Sequence, residues 1–233
     1  MKKTVVCDFR LPNFMKEKLQ MFYDVLDFSA EALVEKPLEG HPDLFLAQIN
    51  ENLVVAPNCP KYILYYFNKN SIFYQFGEQS VGFSYPEIAR YNVSANQKYL
   101  LCNSSICDSQ ILKWSDELEI ISVKQGFCRC STLILPQNIF ITSDKGMAQT
   151  LEKRKLNVHL FSDENIVLSG YKHGLLGGCL GIDEENKRII ISGSLDTLQS
   201  GKQLRLLFQN LTYDLLELGD TALHDVGGFF FIS

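Results

Sequence analysis

The sequence predicts an α/β fold, a five-module ββαβ pseudo-symmetric propeller whose ring is closed by pairing of the N- and C-terminal segments. A strand-turn-strand phrase recurs along the chain, most clearly at Leu44–Ala56 (LFLAQINENLVVA), Ser131–Thr142 (STLILPQNIFIT) and Gly178–Ser192 (GCLGIDEENKRIIIS). Each copy is an apolar run, a short polar turn and a β-branched run, and a helix-like stretch and a further short strand follow most copies. The two ends are complementary. The N-terminus supplies a strand and a helix with no hairpin before them, and Ala222–Ser233 (ALHDVGGFFFIS) is a hairpin-like pair with no helix after it. Joining them completes a fifth module, and closure removes sheet edges that would otherwise template aggregation. No linker or low-complexity segment interrupts the 233 residues, so one domain is expected over 1–233.

Thr4–Cys7 reads as the opening strand. Asn13 N-caps a predicted helix over Phe14–Val25, where Phe14, Leu19, Phe22 and Tyr23 fall near helical spacing. Gly40–His41–Pro42–Asp43 is a turn into the first clear hairpin, and Asn50–Asn52 fills that hairpin's own turn. Asn58–Pro60 breaks the chain; the aromatic-rich Tyr62–Phe67 and Ile72–Phe76 then read as β. Strands are predicted over Ala89–Val93 and Tyr99–Cys102, separated by a Ser94–Gln97 turn. A short helix over Asp108–Lys113 and a strand over Glu119–Val123 follow. The next module opens with CRCSTLIL as a strand, turns at Pro136–Asn138 and returns as IFITS. A helix over Lys145–Lys155, capped by Ser143 or Asp144, leads to a strand over Val158–Phe161. The Gly-rich Tyr171–Gly178 precedes the Gly178–Ser192 hairpin, a helix over Lys202–Asn210 and a strand over Leu215–Leu218.

Composition narrows the function classes. A chain with 46% hydrophobic residues can bury a sizeable core. Its net charge is −5, with no Lys/Arg block and no aromatic–basic interleaving, so nucleic acid is not an expected partner. No run approaches the roughly 18 apolar residues of a membrane helix. The apolar stretch of MKKTVVCDFRLP is too short for a secretory signal. No membrane association is expected, and the expected location is the cytoplasm. The seven cysteines, Cys7, Cys59, Cys102, Cys107, Cys128, Cys130 and Cys179, are odd in number and sit mostly in apolar runs, as reduced thiols do. They form no CxxC pair, and the four histidines are scattered, so neither a metal nor a cofactor is expected. The oligomeric state is left open.

The phrases VKQGFCRCSTLIL…FITSDKG, YKHGLLGGCLG and LHDVGGFFFIS, set in a five-module ring with a shared fifth module, resemble the pentein fold. This is the guanidino-group-modifying, amidinotransferase-like superfamily that includes arginine deiminases, dimethylarginine dimethylaminohydrolases and agmatine deiminases. The likeness is closest to a domain family of unknown function within it. The ribosome anti-association initiation factor shares the fold without the chemistry. The resemblance implies a central pocket. In the enzymes a late Cys attacks the guanidinium carbon, a His at the start of the fourth module's hairpin moves protons, and acidic residues grip the guanidinium nitrogens. Carried onto this chain, the His is His173, and Asp225 sits in the DVGG turn that leads to the nucleophile. The sequence then departs from the pattern: Phe229-Phe230-Phe231-Ile232-Ser233 stands where the Cys belongs, and no cysteine lies beyond Cys179.

Other polar residues gather at predicted strand ends, where a ring would bring them to one pocket: Asp8, Arg10, His41, Asp43, Asn92, Asn103, Lys124, Gln125, Arg129 and Asp144. Asp8 and Arg10 carry opposite charges on one strand face, as an ion pair or as ligand contacts. His41-Pro42-Asp43 holds two ionisable side chains in a rigid turn. Arg129, between two cysteines in a predicted strand, faces either solvent or a cavity in which its fork suits a carboxylate or phosphate. Cys128, Cys130 or Cys179 could act as a displaced nucleophile. The leading expectation is a non-hydrolytic protein that binds a small polar ligand, guanidino or amino-acid-like, through Asp8, Arg10, His41, Asp43, Lys124, Arg129 and Asp144. One alternative is a hydrolase or deiminase acting on C–N bonds of amidines, using His173 with Asp43 or Asp225 and an unusual nucleophile or an activated water. Another is a protein-interaction module using the aromatic Tyr62–Phe76 stretch.

Overall fold

Each repeat pairs a hairpin with a third strand that runs parallel to the hairpin's second strand. Parallel neighbours need a crossover connection, and the helix of each module supplies it. The computed structural model describes residues 2–162 and 164–232. Among the described residues the strands form five three-stranded sheets. One module comprises β3 (Leu46–Ile49), β4 (Asn52–Val55), α2 (Lys61–Lys69) and β5 (Gln75–Phe76), once β1 (Thr4–Asp8), α1 (Asn13–Gln20) and β2 (Asp24–Phe28) have passed. The next has β6 (Ser94–Ala95), β7 (Tyr99–Cys102), α3 (Ser109–Trp114) and β8 (Glu119–Ser122). Then come α4 (Cys128–Ser131), β9 (Thr132–Leu135), β10 (Ile139–Thr142), α5 (Lys145–Lys153) and β11 (Asn157–Leu160). The fourth is β12 (Leu180–Asp183), β13 (Arg188–Ile191), α6 (Gly201–Asn210) and β14 (Asp214–Glu217). Last, β15 (Phe230–Ile232) pairs antiparallel with β1 in the register Thr4↔Ile232, Val5↔Phe231, Val6↔Phe230, and β2 runs parallel to β1. The chain's two ends therefore build one sheet, as the sequence predicts.

The helices bury one stripe each: Met15 and Leu19 on α1, Ile63 and Phe67 on α2, Met147, Ala148 and Leu151 on α5, and Leu204 and Phe208 on α6. Spacings of three and four put these side chains on one face. At the seam, Val5, Cys7 and Tyr23 from the N-terminal segment pack with Phe229 and Phe231 from the C-terminal one. Polar ties run between modules: Gln48 Nε2 donates to the Phe231 carbonyl at 3.0 Å, and Asn96 Nδ2 to the Leu135 carbonyl at 3.0 Å.

Five local expectations change. The helix predicted over Phe14–Val25 ends at Gln20, with Asn13 as its first residue rather than a side-chain cap, because Asp24–Phe28 is drawn off to pair parallel with β1. Tyr62–Phe67 is helical rather than β, because Ile63 and Phe67, four apart, turn inward together while Tyr62 and Tyr65 stay exposed. Packing overrides the aromatic β-propensity here. Ala89–Val93 is not a strand; a 3-10 turn spans Glu87–Ala89 and pairing begins at Ser94. The strand predicted over CRCSTLIL begins only at Thr132, because Cys128–Ser131 forms the helical turn α4. Cys128 joins the Leu101–Phe140 cluster, while Cys130 turns to the ring centre. Ala222–Ile232 supplies one strand rather than a hairpin; His224 makes an isolated bridge with Val167.

Candidate functional site

The polar centre is assembled from segments that precede strands in successive modules. His41 and Asp43 come from the turn before β3, Asn92 from the approach to β6, Arg129 and Cys130 from α4, Gly177 and Gly178 from the turn before β12, and Asp225 from the approach to β15. Pro42 opens a 3-10 turn over Pro42–Leu44, which sets His41 and Asp43 side by side. Both side chains are fully buried, and Asp225 nearly so.

His41 stands between two carboxylates. Its Nδ1 is 3.9 Å from Asp43 Oδ1 and its Nε2 is 3.9 Å from Asp225 Oδ1. Both distances exceed hydrogen-bond range. His41 Nδ1, His41 Nε2 and Asp43 Oδ1 are buried with no hydrogen-bond partner among the described residues. The other Asp43 oxygen, Oδ2, accepts from the Cys130 thiol at 2.6 Å. Burial pushes the Asp43 carboxyl up to about 6, against the opposing pull of His41 and of that thiol. Burial also drives the Cys130 thiol well above its ordinary range, and the negative charges of Asp43 and Asp225 add to the rise.

Asn92 fixes this geometry. Its Oδ1 accepts the backbone N–H groups of Arg129 at 2.7 Å and Cys130 at 3.2 Å, and its Nδ2 lies 3.3 Å from Cys130 Sγ. Asp225 is held from the opposite side: Oδ2 accepts Leu175 N–H at 2.8 Å and Oδ1 accepts Gly227 N–H at 3.1 Å. The Arg129 fork donates to the carbonyls of Gly177 at 2.7 Å and Leu180 at 2.9 Å, so it joins two modules. Gly228 has φ +76, and a Cβ there would lie 2.6 Å from Arg129 Nη2, so the turn needs glycine twice over. A Cβ on Gly178 would overlap the Asp225 carboxylate. Gly178→Ala is expected to cost about 1–3 kcal/mol by displacing Asp225, read as a lower Tm in thermal unfolding; an unchanged Tm would show that this wall is not tight.

A cavity of ≈ 250 Å³ reaches Asp225, with Asp8, Arg10, Pro37 and His224 on its walls. A second, of ≈ 300 Å³, opens among the hairpin turns and reaches Arg129, with Lys3, Glu51, Glu184 and Phe230 around it. Asp8 and Arg10 satisfy each other at 2.7 Å, and Arg10 also donates to the Lys36 and Pro37 carbonyls. They form the wall of the first cavity rather than part of the inner cluster.

The structure thus brings together His41, Asp43, Arg129 and Asp225, among the residues the sequence singles out. Asp144 instead caps α5 by accepting Met147 N–H at 2.7 Å. Lys124 is exposed, and its carbonyl accepts from Asn103 Nδ2 at 2.8 Å. His173 is exposed, with Nδ1 3.0 Å from the Gly174 carbonyl. Cys179 is buried beside the Leu175 carbonyl. Asn92, one of the strand-end polar residues the sequence gathers to the pocket, is at the centre too, but as a bracket for the backbone of Arg129 and Cys130, a role that no sequence signal announces.

Solved structures share this architecture. A cysteine-to-serine mutant of DDAH from Pseudomonas aeruginosa, complexed with citrulline, matches with TM-score 0.58 at 9% identity, over 94% of this chain and 93% of that chain. A dimethylarginine dimethylaminohydrolase adduct with 4-chloro-2-hydroxymethylpyridine matches at 0.50 and 10%, over 94% and 93%. The C. jejuni agmatine deiminase matches at 0.51 and 11%, over 94% and 88%. At these identities the likeness shows the fold, the pentein propeller. No curated protein matches the sequence. The model of a Family of unknown function (DUF6873) matches residues 6–230.

Proposed function

The chain belongs to the DUF6873 family of unknown function, and we propose that its ring centre binds a small polar ligand bearing a guanidinium or amidinium group. The observation that carries this reading is the buried His41 with both ring nitrogens unpartnered, beside an unpartnered Asp43 Oδ1. A buried polar atom left without a partner costs about 1–3 kcal/mol. Three such atoms at one point are accounted for when a polar ligand completes them. Asp43 and Asp225 flank the point with acceptor oxygens, and a planar cation with several N–H donors matches that arrangement. The structures that share the fold include one complexed with citrulline and one named for agmatine. In this reading Asp43 and Asp225 receive the ligand's N–H groups, His41 contacts it between them, Arg129 braces the site, and Asp8 and Arg10 shape the entrance.

The test is a thermal-shift series on chelator-treated protein with arginine, methylarginines, agmatine, citrulline and simple carboxylates. A ligand at a hundred times its Kd adds about 2.7 kcal/mol, a Tm rise of roughly 5–10 °C for a chain of this size. The rise is expected with a guanidino compound and should vanish in His41→Ala. A flat response across the panel would remove the reading.

A second reading, a hydrolase of guanidino compounds, has one observation in its favour: the Cys130 thiol belongs to the same cluster as His41 and Asp225. The raised thiol places it behind the binding reading, because the thiolate is the nucleophile. Alkylation of Cys130 by a haloacetamidine, slowed by the ligand, is the outcome that would promote it.

A further inference from the structure

We propose that His41, Cys130 and Asp225 form a binding site for a divalent transition-metal ion of the zinc type. This goes beyond the guanidino reading and does not depend on it. One donor atom from each residue lies within 4.8 Å of the others, and all three residues are buried. Imidazole, thiolate and carboxylate together form a donor set suited to zinc rather than to magnesium or calcium. A tetrahedral ion with bonds of about 2.0–2.3 Å needs donors roughly 3.5 Å apart, so inward movements of about an ångström complete the shell.

The surroundings have the form of a metal site's outer shell. Metal-bound histidines donate their remaining ring N–H to a carboxylate or carbonyl, which fixes the tautomer. Here His41 presents Nε2 toward Asp225 and Nδ1 toward Asp43 Oδ1, each at 3.9 Å, and all of Nε2, Nδ1 and Asp43 Oδ1 lack a partner among the described residues. An ion on Nε2 leaves Nδ1–H to donate to Asp43, which satisfies all three atoms at once. Cys130 Sγ is oriented by Asn92 Nδ2, and Asp225 by the N–H groups of Leu175 and Gly227. The donors come from three modules, at positions 41, 130 and 225, so no local spacing in the sequence announces them. Three protein donors leave a fourth position on the ion for water or a small ligand, and Asp225 borders the ≈ 250 Å³ cavity that could deliver it.

The experiment is a titration of reduced, chelator-treated full-length protein with cobalt(II), then zinc. One equivalent of cobalt is expected to produce a thiolate-to-cobalt charge-transfer band in the near ultraviolet, and zinc should abolish it. Zinc should also protect Cys130, among the seven cysteines, from alkylation mapped by mass spectrometry, a readout that needs no variant. Cys130→Ser should lose the band, whereas Asp43→Asn should keep it and weaken binding about 10–100-fold. Absence of the band in the native chain overturns the proposal. So does a band that survives Cys130→Ser, or zinc protection confined to other thiols. These outcomes are separate from the guanidino panel, which is run without metal; because both occupants use Asp225, zinc should reduce any shift that a guanidino compound gives.

Discussion

Truncation of the chain after Gly228 is expected to abolish cooperative folding. Phe229, Phe230, Phe231 and Ile232 are each at least 95% buried. Burying one such side chain contributes about 1.5–3 kcal/mol, so the four together are worth about 6–12 kcal/mol, comparable with the whole stability of a typical domain. The loss is also topological. Without β15, β1 regains an open edge, and the seam cluster of Val5, Tyr23 and Leu218 loses its lid. A milder variant isolates packing from closure. In Phe231→Ala the ring lying 5.1 Å from that of Tyr23 is removed, and a cost of about 3–5 kcal/mol should lower Tm by roughly 10 °C. Phe73→Ala, at a ring 68% exposed, should leave Tm within about a degree. Circular dichroism melts of the three proteins decide the matter. A truncated chain that melts like the native one would mean that ring closure is not what holds the ends.

The ring is legible because it is written in periodicity: paired apolar runs around a polar turn, repeated, with complementary ends. What is not legible depends on ties across the ring. CRCSTLIL looks like a continuous strand because its apolar run has no break, yet Asn92, 37 residues earlier in the chain than Arg129, captures two of its backbone N–H groups and bends it into α4. That bend separates Cys130 from Cys128 and delivers it to His41. KYILYYFNK has the aromatic content of a strand, and only the inward pairing of Ile63 with Phe67 makes it a helix. Among the site candidates, His41, Asp43 and Asp225 are visible as charged residues in rigid or Gly-rich turns next to strands. Asp144 has the same appearance, but its carboxylate satisfies a helix N-terminus. Turn polarity cannot distinguish a cap from a ligand contact; burial without a partner can.

Asp43→Asn and Asp225→Asn are expected to agree in binding and to differ in stability. Each removes one anionic acceptor from the centre, and hydrogen bonds to a charged group are worth about 1.5–3 kcal/mol, so ligand affinity should fall roughly 10–150-fold in either variant. Stability separates them because the native chain treats the two carboxylates differently. Asp225 uses both oxygens to accept N–H groups, from Leu175 and Gly227. An amide in its place turns its NH₂ toward one of those donors, at a cost of about 1–3 kcal/mol. Asp43 uses Oδ2 for the Cys130 thiol and leaves Oδ1 facing His41 Nδ1 without a partner. The amide of the Asp43→Asn variant would keep an acceptor for the thiol, offer its NH₂ toward the imidazole, and remove a fully buried charge whose desolvation opposes folding. Asp43→Asn should therefore melt at or above the native temperature while binding poorly, and Asp225→Asn should melt lower. A centre built only for stability would show the reverse: Asp43→Asn would destabilise as much as Asp225→Asn, and neither change would alter ligand-induced shifts. A variant that gains stability as it loses binding would locate at Asp43 a charge that the fold bears for the sake of its ligand.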